Sequence, residues 1–217
     1  MKLVCISDTH NKHKYMPEIP DGDVLIFAGD MSMTGKKNDI KVFNDFLGTL
    51  PHKHKLVIAG NHDWYCYKKE SSTDGYYYNK ENAQNLLTNC TYLQDDSVTI
   101  NGIKFYGSPW QPEFCNWAFN VERGSKIKEK WDLIPIDTDV LITHGPPHNI
   151  LDEVPRGELV GCEDLLDKVC AVRPKVHVFG HIHCAYGVKV FNETVFINAS
   201  TCNEMYQPVN KPIVWGV

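Results

Sequence analysis

Five short apolar runs recur along the chain, and a glycine or a polar residue ends each of them. The runs cover residues 2–7, 23–29, 55–60, 139–145 and 176–183. They are continuously apolar rather than alternating, which is typical of strands buried on both faces. Apolar residues at helical spacing lie between some of the runs, at residues 39–50, 80–89 and 162–172. This order of elements predicts an α/β fold with a largely parallel sheet.

The second half of the chain adds signals for antiparallel strands. Residues 97–107 and residues 189–200 each carry a central turn of the hairpin type, and residues 213–217 have the composition of a final strand. Two mixed sheets that face each other, with helices outside, would accommodate all these elements. A length of 217 residues suits one compact domain, and we expect residues 1–217 to form it.

Each apolar run delivers polar residues at its carboxyl end. They lie in the stretches 8–10, 29–30, 60–63, 144–145 and 180–183. In an open α/β sheet this edge is where ligands bind, and glycine lets the backbone approach a ligand closely. Taken singly, each stretch could be an ordinary capping or surface turn. Their joint position at five strand ends predicts a metal site.

The histidine pair in the last run is the most specific of these signals. Alternate side chains share a face on an extended chain, so we expect His181 and His183 to point at one spot from the end of a strand. Two imidazoles aimed at one spot indicate a metal ligand pair.

The chemistry of the candidate ligands favours two ions over one. The candidates are Asp8, His10, Asp30, Asn61, His144, His181 and His183. They supply more imidazoles than one tetrahedral site needs, and the carboxylate of Asp30 could bridge two cations with its two oxygens. Mixed oxygen and nitrogen ligands favour Mn²⁺, Fe or Zn over Mg²⁺ or Ca²⁺, and we expect Mn²⁺ first. A metal pair about 3.5–4 Å apart suits displacement at a phosphoryl group.

At these residues the sequence resembles the calcineurin-like metallophosphoesterases. The motifs that match are, in order, "DTH" (8–10), "GD" (29–30), "GNHD" (60–63), "TH" (143–144) and "GHIH" (180–183). More narrowly, the chain is similar to the metallophosphoesterase-domain-containing (UPF0046) family at residues 107–114, 143–147, 177–183 and 206–214. The resemblance implies a four-layer α/β/β/α sandwich of two mixed β-sheets flanked by helices. Residues 29–35 read "GDMSMTG" where Ser/Thr protein phosphatases have "GDxVDRG", which disfavours that activity.

The same resemblance implies roles for individual residues. One ion would be held by Asp8, His10, Asp30 and His183, and the other by Asp30, Asn61, His144 and His181. His62 would contact the phosphoryl group and protonate the leaving oxygen. We therefore expect Asn61 and His62 to contact substrate.

Two further candidates are predicted from their place in the chain. Asp63 follows His62 and is expected to act in catalysis by orienting it, although such a neighbour could equally cap the following turn. Arg156 lies shortly after the motif at residues 143–147 and is expected to bind substrate, with a solvated loop arginine as the equal alternative.

The remaining aromatic and histidine residues are assigned to packing or to solvent. Most aromatics of residues 108–119 are expected to pack beneath the loops, with Trp110 or Trp64 as a candidate for the wall of the site. Three histidines in polar stretches, His13, His52 and His54, are expected to be exposed loop residues.

These residues predict a dinuclear metal-dependent phosphodiesterase that hydrolyses small nucleotide-like diesters, such as cyclic nucleotides. The expected reaction is in-line attack on phosphorus by a metal-bridging hydroxide. Two alternatives stay open: a phosphomonoesterase of the same fold, and a non-catalytic scaffold that keeps the fold without turnover. Every ligand position is filled, which favours an enzyme over a scaffold.

Composition and charge limit the expected partners. The net charge is −5, with Lys and Arg scattered among acidic residues, which argues against a long nucleic acid. No apolar stretch is long enough to span a bilayer, and the chain opens on a strand-like run rather than a signal peptide. The eight cysteines form no CxxC pair. We therefore expect a cytoplasmic protein with a small phosphate-ester substrate and no membrane partner.

Overall fold

The computed structural model describes residues 1–67 and 80–217. Its strands are, in chain order, β1 (Lys2–Ile6), β2 (Val24–Ala28), β3 (His54–Ile58), β4 (Thr91–Tyr92), β5 (Asp96–Ile100), β6 (Ile103–Ser108), β7 (Gln111–Pro112), β8 (Asn120–Val121), β9 (Val140–Thr143), β10 (Val176–Phe179), β11 (Gly187–Phe191), β12 (Thr194–Asn198) and β13 (Ile213–Gly216). Its α-helices are α1 (Lys37–Gly48), α2 (Lys80–Leu86), α3 (Ser125–Asp132) and α4 (Glu163–Val172). Short 3₁₀ helices lie at Trp64–Cys66 and His183–Ala185.

The strands form two large mixed sheets and one small two-stranded sheet. One large sheet has the order β13-β1-β2-β3-β4, the other has the order β11-β12-β10-β9-β6-β5, and β7 pairs with β8. Strands β1 to β4 run parallel, and so do β12, β10, β9 and β6. β13, β11 and β5 pair antiparallel with their neighbours. The carboxyl ends of the parallel strands therefore meet along one edge of each large sheet.

Three hydrophobic cores separate four layers. The core between the two sheets contains Leu3 and Cys5 of β1. Val4 and Ile6 of the same strand belong to a second core, which joins the first sheet to α1 and α2. A third core, which includes Trp131, joins the second sheet to α3 and α4. Because successive strand residues face opposite sides, a strand between two cores must be apolar throughout. The predicted α/β/β/α sandwich is confirmed.

The helices are short and bury one face each. The longest described helix, α1, has 12 residues and buries Ile40, Phe43 and Leu47. α3 is absent from the sequence prediction because its residues, SKIKEKWD, are mostly charged and only Ile127 and Trp131 among them are buried. Two apolar residues four positions apart make a stripe too short to stand out. In residues 1–67 and 80–217, no helix has both the length and the apolar character needed to cross a membrane.

Two histidines that were expected to be exposed are buried, so that prediction is wrong. His13 and His52 expose only 2% and 3% of their surface. His13 packs against the rings of Phe43 and Phe46 on α1. His52 Nε2 lies 3.0 Å from the carbonyl oxygen of Pro20, within hydrogen-bonding distance. Tertiary packing therefore covers polar stretches that look solvated in the sequence.

A third buried histidine, His177 of β10, supports the end of the neighbouring strand β9. Its Nε2–H donates to Thr143 Oγ1 over 2.8 Å, and the Thr143 hydroxyl donates to the carbonyl oxygen of Gly145 over 2.8 Å. The rings of Phe179 and Phe196 pack beside it. Burial lowers the pKa of His177 to about 3, so the ring is neutral at pH 7.

We expect His177 to make the fold sensitive to acid. Its pKa is about 3 in the folded protein and about 6.5 in an unfolded chain. Its contribution to stability is therefore full above about pH 6.5 and is lost as the pH falls toward 3, at up to about 1.4 kcal/mol per pH unit. His177→Gln, which keeps an N–H donor, should flatten this loss in urea unfolding of metal-free protein at pH 7 and pH 5. Equal pH dependence in the two proteins would contradict the prediction.

Candidate metal centre

The structure brings the predicted metal ligands together where the edges of the two sheets meet. Three groups have ligand atoms within 4.8 Å of one another: Asp8, His10 and His183; His10, Asp30 and His62; and Asp30, His144 and His181. The first sheet contributes the residues that follow β1, β2 and β3, and the second sheet contributes those that follow β9 and β10. The centre is therefore built by five strand ends of two sheets.

The first group surrounds the carboxylate of Asp8, which is fully buried. His183 Nε2 lies 3.5 Å from Asp8 Oδ1 and 3.2 Å from His10 Nε2. His10 Nε2 lies 4.0 Å from the same Asp8 oxygen. Two ring nitrogens and a carboxylate oxygen thus converge at distances that one cation could span.

The third group, which contains His144 and His181, surrounds Asp30, which is 2% exposed. His144 Nε2 lies 3.3 Å from Asp30 Oδ2 and 3.0 Å from Asn61 Oδ1. The ring of His181 packs beside that of His144, with their centroids 5.0 Å apart. The four ligands expected for the second ion are therefore near neighbours.

Asp30 faces both groups through one oxygen. Its Oδ2 atom lies 3.3 Å from His144 Nε2 and 3.8 Å from His10 Nε2. Its Oδ1 atom instead accepts a hydrogen bond from the backbone N–H of His62 over 2.8 Å. The sequence interpretation gave each ion its own Asp30 oxygen, and the structure turns a single oxygen toward both. A shared oxygen suits two cations about 3.5–4 Å apart.

Backbone carbonyls determine which ring nitrogen of three histidines faces the centre. Each ring places Nδ1 against a carbonyl oxygen: His144 against Ala28 at 2.9 Å, His183 against Asn203 at 3.0 Å, and His62 against Met33 at 2.7 Å. Because a carbonyl oxygen can only accept, Nδ1 carries the proton in all three rings. Nε2 is then free to face the centre, which is the usual way that proteins orient metal-binding imidazoles.

The two histidines after β10 converge for a different reason from the one predicted. β10 ends at Phe179, His181 has a left-handed backbone with φ +67°, and His183 begins a 3₁₀ helix. Side-chain alternation along a strand does not apply to them, so that part of the prediction is wrong. Asp8 and Asp30 are also left-handed, with φ +53° and +60°. Such conformations are unfavourable for residues other than glycine and cluster at functional sites.

The buried charges of the centre depend on one another. Burial alone would raise the pKa of Asp30, but the neighbouring His144 and His10 hold this pKa well below its usual range. Burial alone would lower the pKa of His144, but the charge of Asp30 raises it to about 9. The pKa of His181 is lowered by burial to about 3. The Asp30 carboxylate therefore requires a positive charge beside it, either a protonated His144 or a bound cation.

Asp63 links the turns that carry Asp30 and Asn61. Its fully buried carboxylate accepts five hydrogen bonds of 2.7–3.2 Å, from the backbone N–H groups of Asp30, Met31, Ser32 and Gly60 and from the Ser32 hydroxyl. The expected contact that orients the ring of His62 is therefore corrected, because the carboxylate points at these backbone donors. Asp63 joins the turn that carries His62 to the turn that carries Asp30, and its part in catalysis stays a prediction.

A cavity of about 570 Å³ opens from the metal centre. Trp117 lines it, with its ring centroid 4.3 Å from that of His62, and so does Phe114. Trp110 and Trp64, the aromatic residues expected in the wall, are not among its lining residues. Both pack against the second core, which joins the first sheet to α1 and α2. The aromatic wall is thus real but is built by other residues of the same loop.

Arg156 lies on an exposed turn beside this cavity. The adjacent residues Val154 and Pro155 line the cavity, whereas Arg156 does not. Arg123, which the sequence interpretation did not single out, does line it. Contact between Arg156 and substrate stays a prediction.

Two supporting residues were missed in the sequence. Ser200 Oγ donates to Asp8 Oδ2 over 3.0 Å, and the carbonyl oxygen of Asn203 orients His183. Ser200 follows β12, which is parallel to β10, so its place after a strand was a usable signal. Asn203 acts through its backbone, which leaves no trace in the sequence.

The donor set fits a pair of transition-metal ions. Because Nδ1 carries the proton of His183, its Nε2 presents a lone pair 3.2 Å from His10 Nε2, and a proton or a cation is needed between them. None of the three ligand groups, which were sought in residues 1–67 and 80–217, contains a cysteine. Carboxylate, amide and imidazole ligands together suit Mn, Fe or Zn.

This fold and this centre together define the metallophosphoesterase class of proteins. The family model described as calcineurin-like phosphoesterase matches residues 1–185, and the chain belongs to that family. Phosphopantetheinyl hydrolase from Mycobacterium tuberculosis has a similar structure, with a TM-score of 0.61 at 17% identity over 94% of this chain and 90% of that chain, which shows the shared fold.

Curated relatives match nearly the whole chain. Metallophosphoesterase domain-containing protein 1 of Homo sapiens is 49% identical over 229 residues, which cover 98% of this chain and 70% of that protein. A UPF0046 protein of Caenorhabditis elegans is 43% identical over 231 residues, which cover 100% of this chain and 81% of that protein. The resemblance found in the motifs is therefore confirmed, and phosphoric ester hydrolysis is the chemistry of the family.

We expect Gly60→Ala to disrupt metal binding. A Cβ atom at this position would overlap Asp30 Oδ1 and lie 2.6 Å from His144 Cε1. One of these ligands must therefore move, and metal analysis after dialysis should find fewer ions per chain than in the wild type. Gly216→Ala is the control, because no atom lies within 4 Å of its added Cβ. Full metal content in Gly60→Ala would show that the close approach is unimportant.

Proposed function

We propose that the chain is a dinuclear metal-dependent phosphodiesterase that hydrolyses small nucleotide-like diesters, cyclic nucleotides among them. One observation carries the proposal. A single oxygen of Asp30 faces two groups of ligands, and the ring of His62 stands beside them at the floor of a cavity. The proposed ligand sets are Asp8, His10, Asp30 and His183 for one ion and Asp30, Asn61, His144 and His181 for the other.

The residues of the chain supply the proton that completes the reaction. A bound metal pair would activate water and neutralise charge on the phosphoryl group. Asn61 and His62 line the cavity next to Asp30, where they can hold that group. Because Nδ1–H of His62 is bonded to Met33, the second proton of a protonated His62 lies on Nε2, which faces the centre. This proton passes to the leaving oxygen, so the product departs as an alcohol and His62 becomes neutral.

Charge around the cavity supports a diester over a monoester. Glu113 and Glu204 line it, and Arg123 is the one lysine or arginine among its lining residues in the described part of the chain. The Arg123 guanidinium is already bonded to two backbone carbonyls and to Glu163. A phosphomonoester carries close to two negative charges at neutral pH and a diester carries one, so this lining repels a diester less.

The aromatic and apolar side chains in the walls of the cavity support the proposal that the substrate carries a flat organic group. Trp117 packs beside His62, and Phe114, which is 64% exposed, lies at the cavity wall. Pro112, Pro146 and Pro155 add further apolar surface. A nucleobase offers a flat face that stacks on aromatic side chains, which is why we propose a nucleotide-like diester.

The proposal also includes a cellular compartment and the identity of the metal. All eight cysteines are free, which supports a reducing, cytoplasmic compartment. Imidazole and carboxylate ligands together support Mn²⁺, with Fe or Zn as alternatives. We retain Arg156 as a proposed substrate contact because its neighbours Val154 and Pro155 line the cavity.

Metal-stripped protein should be inactive and should regain turnover with Mn²⁺. Bis-p-nitrophenyl phosphate and p-nitrophenyl phosphate release the same chromophore, so they compare a diester with a monoester directly. We expect the higher kcat/KM for the diester. A preference for the monoester would identify a phosphomonoesterase, and no turnover of either ester by protein that holds two ions would identify a scaffold.

His62→Ala should keep the metal content and lose most turnover. Removal of a general acid lowers kcat by about 10²–10⁴-fold. The measurement is diester hydrolysis at saturating Mn²⁺ together with metal analysis of the same samples. His54→Ala is the matched control, because His54 begins β3 at the end of the strand opposite the centre. Wild-type activity in His62→Ala would remove the assigned role.

A further inference from the structure

Tyr206 lies in a turn that follows β12 and falls outside the part of the chain that the family model matches. Its backbone N–H donates to the carbonyl oxygen of Asn203 over 2.8 Å, and its carbonyl oxygen accepts a hydrogen bond from Lys12 Nζ. Its backbone is left-handed, with φ +56°. The carbonyl oxygen of Asn203 also orients His183. One turn therefore holds both a metal ligand and Tyr206.

The ring of Tyr206 packs against three histidines of the centre. Its centroid lies 4.8 Å from that of His10, 5.4 Å from that of His183 and 6.3 Å from that of His62. Tyr206 also lines the cavity together with Trp117. The ring therefore stands at the floor of the cavity, next to the place where a phosphoryl group would bind.

The hydroxyl of Tyr206 has no hydrogen-bond partner within residues 1–67 and 80–217. It is absent from the fully buried polar groups that lack a partner, so its oxygen is accessible. Other tyrosines differ: Tyr92 donates to Gln94 over 3.0 Å and Tyr186 donates to Lys211 over 2.9 Å. A phenol hydroxyl is protonated at neutral pH, since its ordinary pKa is about 10, so it can donate a hydrogen bond.

We propose that Tyr206 is a catalytic residue whose O–H donates a hydrogen bond to a phosphoryl oxygen of the bound ester. The inference rests on the proposed function, since it assigns a residue to that same reaction. Donors placed where negative charge develops are effective because they need no rearrangement during the reaction. Tyr206 is restrained by the Asn203 turn and by ring contacts, so its donor is held in place before substrate binds.

A purely structural role is the competing interpretation. In that case the ring of Tyr206 would only shield His10 and His183 from solvent. The two interpretations differ in what the hydroxyl does, because Tyr206→Phe keeps the ring and its packing and removes the donor alone.

The test compares Mn²⁺-loaded wild type, Tyr206→Phe and Tyr15→Phe. Tyr15 is 79% exposed, so Tyr15→Phe controls for the loss of a phenol hydroxyl elsewhere. Three quantities are measured: Mn²⁺ content, kcat/KM for bis-p-nitrophenyl phosphate, and the affinity for inorganic phosphate by calorimetry. We expect Tyr206→Phe to keep its Mn²⁺, to lose about tenfold to a hundredfold in kcat/KM, and to bind phosphate more weakly.

Each outcome decides between the interpretations. Wild-type kcat/KM and phosphate affinity in Tyr206→Phe would overturn the proposal, and so would a loss of activity that follows a loss of Mn²⁺. If the wild type hydrolyses no ester, the proposed function fails while the phosphate measurement still tests Tyr206. Weaker phosphate binding by Tyr206→Phe would then support the contact, and equal or absent binding in both proteins would reject it.

Discussion

The burial of two carboxylates, each within 4.0 Å of the same ring nitrogen of His10, is the constraint on which the rest of this structure depends. Asp8 and Asp30 are almost completely removed from water, and an unpaired buried charge costs several kcal/mol. Each is therefore surrounded by donors, which include the backbone N–H of His181 for Asp8 and that of His62 for Asp30. The backbone is left-handed at both aspartates. Gly60 and Gly180, which leave room for these carboxylates, and the histidines around them serve the same requirement.

Strand positions, and the polar residues that meet at the strand ends, could be predicted because both depend on local composition. A strand between two cores is apolar on both faces, and the residue after it reaches the edge of the sheet. The direction in which a side chain points could not be predicted where tertiary contacts determine it. Asp63 turns away from the His62 ring because backbone N–H groups converge on its carboxylate. Trp110 lies in the core rather than in the cavity, with its indole N–H bonded to Asp95.

The motifs that identify the family account for the ligands but not for everything that holds them. The family model ends at residue 185, whereas β11, β12 and β13 lie beyond it and complete one edge of each sheet. The same region supplies Ser200, which bonds to Asp8, and Asn203, which orients His183. These groups follow from the topology, since β12 runs parallel to β10 and ends at the same edge. A motif search therefore finds the candidate metal ligands but not the residues that hold them in place.

Because the ligands come from both sheets, cations at this centre would act on the whole fold and not on one loop. Asp8 and Asp30 follow strands of one sheet, and His144 and His183 follow strands of the other. Separation of the sheets would break both ligand groups at once, so ion binding and cooperative unfolding form a single thermodynamic linkage. The free energy of ion binding would then add to the global stability of the sandwich, and ions at this edge would hold its two sheets together.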